Sequence, residues 1–433
     1  MNGHPSTHDQ APGWLRRAGQ RVRFHWILSP KLDLAFYIGS ALIGWLYVGL
    51  IWWGVRALDN PLEDPLSTVQ LGSIEIPVDL RLLIFVSWAV FLDAPHLWAT
   101  LGRTFCDPDE WASRRGILVR SLGWFALGPV LIVSPYALGS ATAALGMKLP
   151  PAAMALGALG FFTFFRLWAY YHVVRQHWGF FRLYKRKGQD YSHDRLDTWF
   201  FYTTMFGPIV LFLTGSIYQD LPGFPDLGMH APLVSGLSVA DLLHPAVWAL
   251  YLAVILVYLA HLGLLLKRGH PVNGSKLLYM SLLIPLHLVA FSHPIIVLFL
   301  NPIVTAGHNI QYHCIVYFYG RKKYAANDDR RYRLPRFLFS NLLNYGFVGL
   351  AFTFVFYRGP WIDWVKRVTG ITLDEAVLDW MGMMAGITDP SSLALGQQVM
   401  VAAVLGFAMQ HYYLDSKIWR VSKDSAVRKN LQV

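Results

Sequence analysis

The sequence contains little charge and very little cysteine. Only 15% of its 433 residues are charged, while 55% are hydrophobic. A soluble globular chain carries roughly a quarter charged residues, so this composition is typical of a membrane protein. The two cysteines, Cys106 and Cys314, fall near the expected cytoplasmic ends of helices. We therefore expect no disulfide framework.

The sequence also lacks the short motifs of several common enzyme classes. It has no glycine-rich phosphate loop, no His-Glu-x-x-His zinc motif, no Gly-x-Ser-x-Gly elbow and no cysteine pair at zinc spacing. Residues 1–30 are polar and basic, without an apolar stretch followed by a small-residue cleavage site. We expect no cleaved signal peptide, so the first hydrophobic helix would itself direct membrane insertion.

The positive charge is distributed in a way that argues against nucleic-acid binding. The formal net charge is +11, but the basic residues form short clusters at the ends of apolar runs, such as 185–187 and 321–323. This arrangement is typical of the cytoplasmic loops of membrane proteins, whereas a nucleic-acid surface is a contiguous basic face.

Apolar runs of about 20 residues, the length that crosses a bilayer, predict an all-α, polytopic membrane helix bundle. We predict ten spans, at 34–55, 81–104, 117–138, 152–184, 197–218, 243–266, 276–292, 294–320, 337–357 and 396–420. With ten spans every basic cluster falls on one side, which places both termini in the cytoplasm. Three regions follow: a cytoplasmic basic segment at 1–33, one transmembrane domain at 34–420 and a cytoplasmic tail at 421–433. The expected location is a bacterial inner membrane.

Four of the predicted spans carry histidines and carboxylates near their cytoplasmic ends. These residues are Asp93 and His96 in span two, His172 and His177 in span four, His308 and His313 in span eight, and His411 and Asp415 in span ten. Each set is followed by a basic residue, and a rise of 1.5 Å per residue places all four sets roughly 10–12 Å into the membrane. Because buried ionisable groups are costly in a membrane, we expect these side chains to face one interior site.

Neutral imidazole is a common ligand for transition metals, so this set predicts a metal site held between helices. His411 and Asp415 are four residues apart and share one helical face, as two ligands of one centre would. His172 and His177, like His308 and His313, are five apart, which separates two side chains by about 140° on a regular helix. A π-bulge could bring each pair together, each pair could bridge two metals, or one member could support the ligands.

The same residues carry a resemblance to a known family. Asp93-Ala-Pro-His96, the two helices with paired histidines, and Gln410-His411-Tyr-Tyr-Leu-Asp415 resemble the Brp/Blh family of integral-membrane β-carotene 15,15′-dioxygenases. The resemblance covers about 50 residues in four windows. The chain departs from the family in its greater length, in pairs five rather than four apart, and in Asp93 preceding His96. The resemblance implies iron-dependent oxygen chemistry on an apolar substrate.

These observations lead to one hypothesis and three competitors. The leading hypothesis is a non-haem iron oxygenase with one or two iron ions, acting with O₂ on a lipid or isoprenoid, carotenoid-like substrate dissolved among membrane lipids. Hydroxylation or desaturation would require a separate reductase, since no flavin or iron–sulfur motif is present. The competitors are a proton- or metal-coupled transporter, a haem-binding electron carrier and a structural scaffold.

Overall fold

The computed structural model describes residues 21–71, 74–219, 221, 228–233, 236–324, 329–358, 393–421 and 424–431. The described residues are 79% helical with almost no sheet, which confirms the all-α class. Most of the expected N-terminal basic segment, residues 1–20, lies outside the described residues. The same is true of residues 359–392, between the last two predicted spans.

The described residues form seventeen α-helices. In chain order they are α1 Pro30–Leu32, α2 Ala41–Ala57, α3 Leu80–Trp88, α4 Ala94–Thr104, α5 Pro108–Ser121, α6 Trp124–Ala144, α7 Pro151–Lys187, α8 Asp194–Thr214, α9 Ser216–Gln219, α10 Val239–Lys267, α11 Gly274–Ala290, α12 Pro294–Leu298, α13 Leu300–Tyr324, α14 Arg333–Leu338, α15 Leu342–Arg358, α16 Leu395–Ile418 and α17 Ser425–Leu431.

Irregular turns and short strands complete the described chain. Two π-helical turns occur, at Asp33–Ile38 and Ala89–Asp93, and a 3₁₀ turn occupies Arg330–Tyr332. The strands are β1 Val22–Arg23, β2 Pro65–Leu71, β3 Ile74–Asp79 and β4 Val272–Asn273. β1 pairs in parallel with β4, and β2 pairs antiparallel with β3.

The number of apolar helices long enough to cross a membrane is smaller than the ten spans we expected. Among the described residues four helices qualify by length and composition, or up to six if each of two bent pairs is one span. The histidine-bearing helices α7, α13 and α16 are not among them, although they are 37, 25 and 24 residues long. Their inward faces carry polar residues that neighbouring helices cover, so apolar composition is not required of them. Several helices are thus compatible with a membrane protein.

The four helices that carry the predicted site residues pack around one another. α4 contacts α13 and α16, and α7 contacts the same two helices, so the four form a closed ring in the interior. α6 packs along α16 on the outside of this ring. Gly406 of α16 permits that approach, since a Cβ atom there would lie 2.7 Å from the Cα of Phe125. Side chains that point inward from α4, α7, α13 and α16 therefore meet.

Candidate metal centre

His96 reaches the centre of the ring from the start of α4. The π-helical turn Ala89–Asp93 immediately precedes α4, and Pro95 occupies the first turn of that helix. Proline lacks an N–H group and its ring crowds the carbonyl four residues earlier, so the wider turn accommodates it. His96 follows this turn directly and is buried, with 3% of the residue exposed.

His172 and His308 enter from α7 and α13, which remain regular α-helices around them. Both side chains are buried, with ring centroids 5.2 Å apart. Because these helices are regular, the partner histidine five residues later points elsewhere. Of each pair, only the first member joins the centre, so the π-bulge suggested by the spacing does not occur in these two helices.

His411 completes the centre from α16. Its Nε2 lies 3.1 Å from Nε2 of His172, and its ring centroid lies 4.2 Å from that of His96. One ligand nitrogen from each of His96, His172, His308 and His411 can be chosen so that all four lie within 4.8 Å of one another. Metal–nitrogen bonds are about 2.0–2.1 Å, so nitrogens on one ion are separated by about 3–4 Å. This four-histidine cluster could hold a metal ion.

The ring nitrogens of the four-histidine cluster are poorly satisfied by protein groups. Among the described residues, both ring nitrogens of His96 and Nδ1 of His308 are buried without a hydrogen-bond partner. A buried polar atom without a partner typically costs about 1–3 kcal/mol. Four imidazoles with no cysteine nearby also form a donor set that suits iron, copper, nickel or zinc. The residues present therefore fit a transition-metal ion.

A hydrogen-bonded group supports His411 on the side away from the cluster. Thr100 Oγ1 lies 2.5 Å from Nδ1 of His411 and 3.2 Å from Oδ1 of Asp415. The Tyr312 hydroxyl donates to the same Asp415 oxygen at 2.6 Å. Such contacts orient a metal-ligating histidine and fix which nitrogen carries its lone pair. Sequence reasoning missed Thr100, which lies four residues after His96 on the same helical face.

Asp415 lies close enough to the four-histidine cluster to take part in it. Its Oδ2 is 3.6 Å from Nε2 of His411 and 4.0 Å from Nε2 of His172. The carboxylate is nearly buried, with 8% of its side chain exposed. It can serve as an additional ligand or as a hydrogen-bond acceptor beside the ligands.

The remaining predicted residues lie outside the four-histidine cluster. His177 Nδ1 lies 2.8 Å from the Tyr279 hydroxyl, and His313 Nδ1 lies 3.0 Å from the Tyr345 hydroxyl. Asp93 accepts only a long contact, 3.5 Å, from the Asn309 amide. His177 and His313 are thus tied to tyrosines, next to the cluster rather than in it.

One further buried histidine, His287, was not among the predicted site residues and lies next to His177. The His287 ring lies 5.6 Å from that of His177, and its Nδ1 is 3.0 Å from the Tyr170 hydroxyl. The Nε2 atoms of both histidines are buried without a partner among the described residues. The sequence signal was weak, because His287 has no histidine or carboxylate at helical spacing on its own helix.

Two cavities adjoin the four-histidine cluster. The first, of about 180 Å³, is mostly apolar, and His96, His172 and His308 are among its lining residues. Its walls include Val304, Leu405 and Ala408. The second, which we call the vestibule, has a volume of about 930 Å³ and lies between α7 and α16, toward the basic end of α7. His172 and Tyr412 line both cavities, so the cluster sits where the two meet.

Comparison of the chain with protein-family models, curated proteins and solved structures gave no match. The resemblance to the Brp/Blh family therefore stays a prediction that rests on its four short windows.

Proposed function

We propose that this chain is a membrane-embedded non-haem iron oxygenase that acts on a lipid or isoprenoid-like substrate. One observation carries the proposal: four buried imidazoles from four helices converge, and three of them line an apolar cavity. An apolar cavity beside a metal-binding cluster suits a substrate that dissolves in hydrocarbon. The Brp/Blh resemblance supports iron as the metal. The ten-span topology with cytoplasmic termini and the bacterial inner membrane belong to the same proposal.

Each part of the site has a role in that chemistry. Iron bound by His96, His172, His308 and His411 would supply a centre that binds and activates O₂. With its own proton donated to Asp415, the Thr100 hydroxyl would accept from Nδ1 of His411 and so leave the Nε2 lone pair directed into the cluster. Apolar walls at Val304, Leu405 and Ala408 exclude water and hold the substrate chain beside the histidines.

The electron requirement depends on the reaction. Insertion of both oxygen atoms into the substrate needs no external electrons. Hydroxylation or desaturation needs two electrons, and a separate reductase would have to deliver them.

Metal analysis of detergent-purified protein tests the proposal. We expect near-stoichiometric iron in the wild type, loss of iron in His411→Ala, and retention in His270→Ala, an exposed histidine far from the cluster along the chain. His313→Ala should also keep its iron, since that ring bonds Tyr345 outside the cluster. Wild-type protein without iron, or His411→Ala with full iron, would overturn the proposal.

The same preparations separate the competing functions. A transporter should purify without tightly bound iron, while a haem carrier would give a Soret band. The four-histidine cluster disfavours haem. One nitrogen from each of its four imidazoles lies within 4.8 Å of the others, which leaves no room for a haem macrocycle between them.

A further inference from the structure

We propose that the vestibule binds an anionic head group, so that the substrate is an acidic amphiphile whose apolar chain runs past His172 into the apolar cavity. This inference rests on the proposed function, because it assigns the substrate class of the same site. The anionic group is a carboxylate or a phosphate ester, the two head groups that guanidinium and ammonium groups bind best.

The charge of the vestibule lining supports an anionic ligand. Five cationic side chains line it, against one carboxylate, that of Asp415: Arg175, Arg182, Arg186, Lys417 and Arg420. The Asp415 carboxylate is already engaged by Thr100 and Tyr312. Arg182 pairs with Asp194, which does not line the cavity. The other four cations face the cavity with no carboxylate partner among the described residues.

Two of these cations are partly buried, which makes the lack of a partner more significant. Arg186 and Lys417 lie on different helices, α7 and α16, on the two sides of the vestibule. Lys417 is placed over the Tyr413 ring at 5.3 Å. Other cations buried in this protein are paired: Arg103 with Glu110 at 2.8 Å and Lys276 with Asp197 at 2.9 Å. Burial removes water from a charge, so an anion held between Arg186 and Lys417 would compensate for that loss.

Arg175 adds a cation deeper along the same wall. It lies three residues after His172, which is about 4.5 Å along the helix axis, and eleven residues before Arg186. Its guanidinium donates to the Tyr202 hydroxyl and contacts no carboxylate among the described residues. Its side chain is exposed at the vestibule wall, so an anionic group in the vestibule can reach it. The cationic lining thus extends from the outer end of α7 to the neighbourhood of the metal centre.

The shared walls give the amphiphile a continuous path. His172 and Tyr412 line both the vestibule and the apolar cavity. Aromatic residues of the vestibule, including Trp168 and Trp178, offer apolar surface to the first part of a chain whose head group stays among the cations. A chain that enters this way passes the four-histidine cluster before it reaches the apolar cavity.

Binding measurements in nanodiscs of phosphatidylcholine test this inference. The probes share a 16-carbon chain and differ in the head group: carboxylate, phosphate ester or neutral alcohol. We expect the wild type to bind at least one anionic probe about tenfold more tightly than the alcohol, the effect of one charge-assisted hydrogen bond. Arg186→Gln/Lys417→Gln should abolish that preference, and the comparison of the two anionic probes identifies the head group.

A matched control separates local charge from overall charge. Lys267→Gln/Arg268→Gln removes the same charge from exposed positions outside the vestibule and should keep the preference. Iron content is measured in every sample. Equal binding of all three probes by iron-loaded wild type would overturn the inference while leaving the oxygenase proposal intact. Equal losses in both double variants would also overturn it.

Discussion

The hydroxyl of Thr100 lies 2.5 Å from Nδ1 of His411, on the side of the imidazole opposite the four-histidine cluster. The two residues come from α4 and α16, so this contact joins two of the four helices that build the site. With Nδ1 donating to the threonine, Nε2 of His411 presents its lone pair 3.1 Å from His172 Nε2. A metal ion between these nitrogens would satisfy both.

Removal of the Thr100 hydroxyl should weaken metal binding without creating a cavity in the core. Thr100→Val retains the shape of the side chain but leaves Nδ1 of His411 without its acceptor. Loss of such a supporting contact typically lowers metal affinity about 10–100-fold. We expect this loss in competition titrations against a chelator. Thr100→Ser, which keeps the hydroxyl, should retain most of the affinity.

Thr104→Val provides the control for the Thr100 substitution. Thr104 is also buried in α4, but its hydroxyl bonds the carbonyl of Thr100 rather than a side chain of the site. We expect unchanged metal affinity in this variant. An equal loss in Thr100→Val and Thr104→Val would mean that Thr100 acts only through the packing of α4.

Asp415 should strengthen iron binding without being essential for it. Asp415→Asn keeps the size of the side chain and removes a negative charge 3.6 Å from Nε2 of His411. A divalent cation loses that attraction, so we expect weaker iron binding that remains measurable, whereas His411→Ala abolishes it. Chelator titration of both variants measures the difference. Complete loss of iron in Asp415→Asn would instead identify the carboxylate as an essential ligand.

The sequence predicted much of the site because a membrane interior restricts where ionisable residues can lie. His96, His172, His308 and His411 all come from the eight residues expected to share one depth, and they meet in the structure. Of their four helices, α4 lies in a stretch that length and apolar composition identify, whereas α7, α13 and α16 do not meet that criterion. Depth along a helix follows directly from the rise per residue, so convergence at one level was predictable.

Which histidine of each pair joins the four-histidine cluster could not be predicted from the spacing. His177 follows His172 by five residues, and His313 follows His308 by five. On a regular helix that spacing separates the two side chains by about 140°. Whether a local π-bulge removes this separation depends on the helices packed against it. In the structure the helix irregularity falls before Pro95 instead, at Ala89–Asp93. Contacts that depend on tertiary packing, such as those of Thr100 and His287, left no pattern in the sequence. The expected ten spans exceed the four to six that length and composition identify, because α7, α13 and α16 carry polar inward faces that other helices cover, and α11 is only 17 residues long.

The C-terminal helix α17 should respond to acid through Asp424. Burial acts to raise the pKa of this carboxyl, but the Val427 N–H, which it accepts at 3.0 Å, and the Arg114 guanidinium outweigh it, so the pKa is lowered. A lowered pKa stabilises the folded state at pH values above the pKa of the unfolded chain, about 3.9. That stabilisation disappears as the pH falls through the pKa of the folded state.

Asp424→Asn should therefore lower the melting temperature at pH 7, and its difference from the wild type should shrink as the pH falls from about 5 to about 2. Thermal unfolding of both proteins between those pH values measures the difference. Arg114→Gln should remove only part of this pH dependence, because the Val427 N–H still bonds the Asp424 carboxylate, and it also removes the pair with Glu110. A melting-temperature difference that does not change with pH would contradict the assignment.

The seam between α6 and α16 should control the position of His411. Gly406 lies five residues before His411, and a Cβ there would approach the backbone Cα of Phe125 to 2.7 Å. Backbone atoms cannot rotate away, so Gly406→Ala must move α16 relative to α6. Overpacking of this kind costs about 1–3 kcal/mol. We expect a lower melting temperature together with reduced iron content, because the displaced helix carries a metal ligand.

Gly160→Ala gives the opposite expectation, since nothing lies within 4 Å of a Cβ at that exposed position of α7. Alanine in an open helix interior stabilises by about 0.5–1 kcal/mol relative to glycine, so this variant should melt slightly higher with full iron. Equal and upward shifts in both variants would mean that α6 and α16 are not in close contact at Gly406.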